Sequence, residues 1–416
     1  MEALITPGHL AGAIPAVASK SMAHRLMILA ALADEPCELR CNSTSADIEA
    51  TKDCLRALLY ATAPDTPVLD CRESGSTLRF LLPVVGALGT EARFRMRGRL
   101  AERPLAPFDD ELRAHGMRIE RRGAELAVAG RLAPGRFVLP GDISSQYVSG
   151  LLLAAPLLDG PTEVWVRKPV ASRPYISLTV RALEQFGVAV SSDGITQSGV
   201  SYECFSAHGD SIEAPSEVTV EGDWSNAAFW LAAGSMEAEG VTVMGLDLQS
   251  PQGDRAILAA LATFGARIAR RGNAARATAD TPRAASMDVG AVPDLVPPLA
   301  AVAATAPGTT CLRNAGRLRL KESDRLASVS SAINALGGDA RVNDDELVIR
   351  GVEQLHAGTV DACNDHRIAM MAAVMATHAT GPVSVRGAEC VAKSYPAFWE
   401  DYAALGGNVR LAEEEL

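Results

Sequence analysis

Five times along this chain a helical stretch ends on an apolar residue and a glycine, and an extended basic or β-branched stretch follows. The phrase runs Leu112-Arg113-Ala114-His115-Gly116, then Leu183 to Gly187, Leu261 to Gly265, Ile333 to Gly337 and Tyr402 to Gly406. The glycine-to-glycine spacings are 71, 78, 72 and 69 residues. A glycine just past a helix accepts the left-handed conformation that closes the last turn, and the chain then returns as a strand. A weaker sixth copy, lacking the glycine, passes through Leu55 and Leu58. A unit of about 70 residues repeated six times is too long for an ordinary solenoid and points to duplication. With 416 residues, more than one core is expected. Two domains of three units each follow.

Short β-branched or apolar runs read as strands at Thr162–Arg167, Val241–Gly245, Thr309–Arg313, Glu346–Arg350 and Val383–Arg386. Helical periodicity is clearest over Ser21–Leu32, Asp47–Tyr60, Ser76–Leu88, Gln146–Leu158, Tyr175–Phe186, Ser225–Gly234, Arg255–Phe264, Asp294–Thr305, Ser323–Leu336, His366–His378 and Pro396–Leu405. The fold class is therefore mixed α/β. The net charge of −11 offers no general attraction to nucleic acid or anionic membranes. An anionic ligand would need cations gathered locally, against the global field. Eight scattered cysteines form no C-x-x-C pair and read as reduced thiols, not a disulfide framework. No apolar run approaches a membrane span and no signal peptide opens the chain, so a soluble cytoplasmic protein is expected.

Candidate chemistry gathers where small polar residues and cations meet the start of a helix, because the free N–H groups there favour anions. Ser19-Lys20-Ser21 with Arg25 opens the first helix, and its cations and N–H groups are expected to face one point. Glu73-Ser74-Gly75-Ser76 with Arg79 opens another. Glu102-Arg103-Pro104 presents one arginine on a turn. Ser144-Ser145-Gln146 and Ser172-Arg173-Pro174-Tyr175 are capped starts. Lys321, Asp324 and Arg325 lie at i, i+3 and i+4, a spacing that would share one helical face. Asn364-Asp365-His366-Arg367 runs straight into an apolar helix, where a cap explains the first two residues and not the last two. Ala392-Lys393-Ser394 precedes the last helix. Taken singly, each could be an ordinary cap or a solvated charge run.

Together and in this order, these motifs resemble the 5-enolpyruvylshikimate-3-phosphate synthases, enolpyruvyl transferases, over a span from about Ser19 to Lys393. The pairing of Lys-Glu-Ser-Asp-Arg with Asn-Asp-His-Arg is the most specific part. The resemblance implies an inverse α/β barrel in each of two domains, each built from three βαβαββ units and closing over the substrates. It implies that residues 16–223 are inserted between 1–15 and 224–416, with hinges near 15–19 and 221–223. It implies transfer of the enolpyruvyl group of phosphoenolpyruvate to the 5-hydroxyl of shikimate 3-phosphate by addition and elimination. Lys20, Gly75, Arg103, Gln146, Arg325, Arg367 and Lys393 would bind phosphoenolpyruvate. Ser21, Arg25, Ser144, Ser145, Gln146, Ser172, Tyr175, Asp294 and Lys321 would bind shikimate 3-phosphate. Asp294 and Glu322, with Lys20 as a further candidate, would move protons, and Arg79 and His366 would support the site. Neither a metal nor an organic cofactor is implied. The expected partners are the two substrates, with no nucleic acid or membrane and a monomeric chain. Gly75 leaves room for the inhibitor glyphosate.

The chemistry suits these residue types. Both substrates carry a phosphate and a carboxylate, and several guanidinium and ammonium groups are needed to hold four anionic groups in a dry site. The sequence departs from the family at Val17-Ala18, Glu73, Phe80 and Arg317. Two other readings compete. A transferase acting on UDP-N-acetylglucosamine would carry Lys-Asn near its N-terminus and a loop cysteine, whereas Ser21 follows Lys20 and no cysteine lies between Cys71 and Cys204. A silent phospho-ligand-binding protein would account for Glu73 and Arg317.

Overall fold

The computed structural model describes residues 1–61, 66–208 and 211–413. They form two compact units. One comprises Met1–Ser19, Ser43–Ser45 and Glu221–Leu416; the other, inserted, comprises Lys20–Asn42 and Ala46–Val220.

The five glycines of the repeated phrase all have positive φ, from +75° at Gly187 to +101° at Gly116. Each ends a helix and sends the chain back into a strand, as the phrase demands. Around each lies the same arrangement: two parallel strands, two helices and an antiparallel closing pair of strands. Within the inserted unit one copy runs Val68–Arg72, Gly75–Leu88, Ala92–Met96, Phe108–Ala114, Arg118–Arg122 and Glu125–Ala129. The first two strands pair in parallel, the fourth pairs antiparallel with the second, and the third closes the edge. The sheet order is therefore first, second, fourth, third. The same order recurs in every four-stranded sheet among the described residues. Among the described residues the sixth copy keeps two parallel strands, Glu38–Arg40 and Glu217–Thr219, which explains its weak mark in the sequence.

The unit holding both termini has its own stitching. Gly12–Pro15 pairs in parallel with Val241–Met244 and supplies that sheet's first strand. Glu2–Thr6 lies between Val383–Arg386 and Asn408–Ala412 as the fourth strand of the last sheet.

The two helices of a copy differ in burial. The first is apolar all round. Trp224–Ser235, Val296–Ala303 and His366–Ala376 are buried at every residue. A helix without a polar face must lie inside a core. Pro297 and Pro298 are tolerated in the first turn of Val296–Ala303, where no intrahelical N–H bond is lost. The second helix, such as Arg173–Gln185, alternates buried and exposed positions as a surface helix does. Interior helices thus present their N-termini at the ends of parallel strands, and those ends carry the motifs.

Candidate functional site

In the unit holding the termini, the motifs converge on one carboxylate. Asp294 lies on the turn Pro293–Leu295 that leads into a buried helix. Its Oδ1 accepts from Arg325 Nη1 at 2.8 Å, lies 3.1 Å from Lys321 Nζ and 3.7 Å from Arg367 Nε. Burial pushes the Asp294 carboxyl up, but Lys321, Arg367 and Arg325 together hold it well below the usual carboxylate range. Burial pulls the Lys321 ammonium down, against the opposing pull of Asp294.

Arg325 is 1% exposed and is shared. Its Nε and Nη2 donate to the two oxygens of Asp365 at 2.8 and 3.1 Å, a forked pair. Asp365 also accepts from Ser323 Oγ at 3.0 Å and, from the same buried position, caps the helix His366–Ala376 through Arg367 N. Burial lowers the guanidinium's pKa, but Asp365, Asp294 and Glu322 more than reverse this and raise it. Glu322 Oε2 lies 2.8 Å from His366 Nδ1 and 3.8 Å from Arg325 Nη2. Arg367 Nη2 donates to Ser225 Oγ at 2.7 Å, at the start of the helix that Asp223 caps. Lys393 Nζ donates to the Asn364 carbonyl at 2.7 Å.

Glu322, Asp365 and His366 offer donor atoms within 4.8 Å of one another, the spacing of a metal site. The donor set does not fit one. Asp365 faces the Arg325 guanidinium with both oxygens, and a cation would have to displace that charge.

In the inserted unit, the geometry centres on a glycine. A Cβ at Gly75 would stand 2.5 Å from Arg79 Nη1 and 2.7 Å from Arg103 Nη1, so two guanidinium groups occupy the space a side chain would take. Arg79 Nη1 donates to Gln146 Oε1 at 3.1 Å, and Gln146 Nε2 donates to Ser76 Oγ at 3.0 Å. Burial, then the charge of Arg103, brings Arg79 down to about 10. Two like charges at the N-terminus of a capped helix, Ser74 holding Thr77 N, give a local positive potential of the kind that suits an anion.

Lys20 and Arg25 do not face one point. Lys20 Nζ donates to Asp47 at 2.9 Å. Arg25 points into the interior: Nε donates to Thr179 Oγ1, Nη2 to Ser149 Oγ and the Tyr175 carbonyl, and Nη1 to the Ser21 carbonyl. It lies over the Phe80 ring at 4.8 Å, and burial brings it down to about 9. Phe80, a departure from the family pattern, is therefore packing for Arg25. Ser144 caps the helix Ser145–Ala154 through Gln146 N. Ser172 precedes Arg173–Gln185 with φ of 52° and does not cap it with its side chain.

A family model described as EPSP synthase (3-phosphoshikimate 1-carboxyvinyltransferase) matches residues 5–402. The 3-phosphoshikimate 1-carboxyvinyltransferases of Clostridium kluyveri and Clostridium acetobutylicum are 38% and 37% identical to this chain, each alignment covering 97% of both sequences. The chain belongs to the EPSP synthase family. Solved structures agree on the fold. An EPSP synthase from Acinetobacter baumannii matches with a TM-score of 0.77 at 24% identity, covering 99% of this chain and all of that one. The enolpyruvyl transferase NikO from Streptomyces tendae matches with a TM-score of 0.73 at 21% identity, covering 98% of each. The expected inverse α/β barrel architecture and the enolpyruvyl-transferase class are thus those of the family, and the chain is a transferase.

A second local expectation needs correction. Lys321, Asp324 and Arg325 do not share a helical face. The helix begins at Arg325, Asp324 caps it through Ala327 N, and Lys321 is extended. Lys321 and Arg325 nevertheless meet, on Asp294. The motif reading missed the second role of Asp365, and it missed Ser225 and Asp254. Asp365 carried a signal: a cap followed by two unexplained polar residues. Asp254 sits on the turn Gly253–Ala256 within Gln-Gly-Asp and carried none.

Proposed function

We infer that this chain moves the enolpyruvyl group of phosphoenolpyruvate onto the 5-hydroxyl of shikimate 3-phosphate and releases phosphate, in the shikimate pathway to chorismate and the aromatic amino acids. Family membership supports the reaction. The residue roles rest on the resemblance and on one observation above all: a half-buried carboxylate, Asp294, ringed by Lys321, Arg325 and Arg367 beside the Glu322–His366 pair.

The acceptor hydroxyl adds to C2 of phosphoenolpyruvate, losing its proton, while C3 gains one. The tetrahedral adduct then expels phosphate and C3 returns a proton, restoring the enol ether. Glu322, oriented by His366, is the group for C3. Asp294 is the base for the hydroxyl. A carboxylate held so far below its usual range is a weak base. Substrate phosphate and carboxylate groups that engage Lys321, Arg325 and Arg367 draw those cations away, and Asp294 becomes more basic as the ligand arrives. Lys20 is the further candidate for carrying a proton. Arg103, Gln146, Gly75, Arg325, Arg367 and Lys393 hold phosphoenolpyruvate. Ser21, Arg25, Ser144, Ser145, Ser172, Tyr175 and Lys321 hold shikimate 3-phosphate, Arg25 chiefly by fixing Ser21 and Tyr175.

The reading includes a cytoplasmic monomer that binds no membrane, and no helix of the described residues is long and apolar enough to cross one. It includes inhibition by glyphosate at the Gly75 receptor; an unchanged rate under saturating glyphosate would sink that part.

The test is phosphate release from the purified protein, with each substrate alone and with both, beside Glu322→Gln. Release that needs both substrates and falls about 10²- to 10⁴-fold in the variant is the expected result. Binding of both without release would turn the reading to a silent phospho-ligand-binding protein. Release with UDP-N-acetylglucosamine as acceptor would turn it to the other transferase.

A further inference from the structure

Near Asp294 lies a second carboxyl to which this reaction gives no part. Asp254 sits on the turn Gly253–Ala256 and is 3% exposed. The charged groups facing it come from three elements: Asp294 on its turn, Arg367 on the helix His366–Ala376, and Asp223 at the cap of Trp224–Ser235. Between Asp254 and Arg367 stands the Ser225 hydroxyl. Arg367 Nη2 donates to Ser225 Oγ at 2.7 Å, and a hydroxyl has one proton of its own to give. The turn of Asp254 is held against the start of the helix that carries Ser225, and the proton Ser225 has left to give favours the Asp254 carboxylate.

The turn is tied in place. Gln252 accepts from Trp224 N at 3.0 Å, and its amide donates to Glu221 Oε1 at 2.9 Å and to the Gly222 carbonyl at 2.8 Å. These bonds fix the turn to the start of the helix that carries Ser225. The line Asp254, Ser225, Arg367, Asp294 is therefore built from anchored elements.

We propose that Asp254 is a positioning residue for the transfer: through Ser225 it sets the direction of the Arg367 guanidinium, and its charge competes with Asp294 and with bound anion for that group. The proposal rests on the function inferred above. Burial, then the neighbouring Asp294 charge, pushes the Asp254 carboxyl up to about 6, against Arg367 and the Ser225 bond. Below that pH Asp254 is neutral, and Arg367 is left to Asp294 and the substrate. Above it, a second carboxylate draws on the same guanidinium.

The sign for stability is fixed by the direction of the shift. The folded chain holds this proton more tightly than the unfolded one, so the stability it contributes is complete below about pH 4 and is lost as pH rises through about 6. Asp254→Asn carries no such loss.

The experiment compares the full-length chain with Asp254→Asn, Asp254→Ala and Ser225→Ala between pH 5 and 8.5. KM for phosphoenolpyruvate and kcat are read by phosphate release, and thermal unfolding is followed over the same range. The substrate phosphate titrates in this window too, so the readout is the ratio of each variant to wild type. The Asn side chain still accepts from Ser225 and bears no charge. Its KM should match wild type at pH 5 and fall several-fold below it by pH 7.5. Ser225→Ala should raise KM about tenfold at all pH values, and Asp254→Ala about tenfold at pH 5 with the gap narrowing by pH 7.5 as wild type gains its charge, with kcat changed less. The melting temperature of Asp254→Asn should gain on wild type between pH 5 and 7. Parallel pH profiles for Asp254→Asn and wild type would overturn the proposal. So would a wild-type KM in Asp254→Ala with unchanged melting. Should Asp254→Ala fail to fold, Asp254→Asn and Ser225→Ala carry the test. Should wild type turn over no substrate, the functional reading fails by itself, while a melting difference that ignores pH would still sink the role of Asp254.

Discussion

The two anion-directed regions handle charge in opposite ways. In the inserted unit, Arg79 and Arg103 crowd the space above Gly75, like facing like, with a neutral amide from Gln146 as company for Arg79. In the other unit, Lys321, Arg325 and Arg367 surround Asp294, and Arg325 is forked onto Asp365. The first sets two cations side by side, an arrangement that suits an anion. The second binds its cations to resident carboxylates, so an anion must compete with them. The first favours binding, and the second yields a carboxylate whose basicity depends on occupancy.

The contrast is most severely tested by removing the central carboxylate. Asp294→Asn should lower kcat by a factor on the order of 10³ to 10⁴ while leaving phosphoenolpyruvate bound, because the cations remain. A loss confined to KM would make Asp294 a ligand holder and not a base. Next comes Asp365→Ala, which takes the forked partner from the buried Arg325. Chemical denaturation should show a loss of about 3–5 kcal/mol, the range for breaking a buried ion pair. A loss near zero would mean that the fork is not what holds Arg325.

How much of this was legible beforehand follows the same divide. The repeats were readable because each glycine must adopt positive φ at one fixed place in the unit, and five of them do. The sixth copy was faint because its sheet keeps two strands among the described residues, leaving less pattern to find. Residues near helix starts were legible as motifs, since caps and cations have local spacing rules. Their directions were not. Arg25 turns inward because Thr179, Ser149 and Tyr175, more than 100 positions away in sequence, offer acceptors. Asp324 was spent on a cap, so the i, i+3, i+4 spacing never became a face. Asp254 has no local grammar at all; its character comes from burial and from Asp294.

Smaller perturbations sharpen the receptor side. Gly75→Ala pushes a methyl group against both guanidinium groups, and KM for phosphoenolpyruvate should rise about ten- to a hundredfold with kcat less affected. An unchanged KM would show that Arg79 and Arg103 move aside freely. Smallest of all, inorganic phosphate at ten times its dissociation constant should raise wild-type stability by about 1.4 kcal/mol, and should do so far less in Arg103→Ala. Equal shifts would place phosphate elsewhere. Acid offers a related check. The stability carried by Asp294 is complete above about pH 4 and declines as pH falls through its depressed folded value. Asp294→Asn should lack that decline in urea titrations, and a parallel decline in both proteins would contradict the assignment.

The strand Glu2–Thr6 has a consequence for synthesis. It leaves the ribosome long before both of its neighbours, Val383–Arg386 and Asn408–Ala412. Translation must run through those two strands before this one finds its place, and until then its edges are open to wrong partners. The inserted residues between face no such delay and can close while the ribosome is still at work. A ribosome stalled before Val383–Arg386 has emerged would therefore hold a nascent chain with its inserted unit finished and the strand Glu2–Thr6 unclaimed.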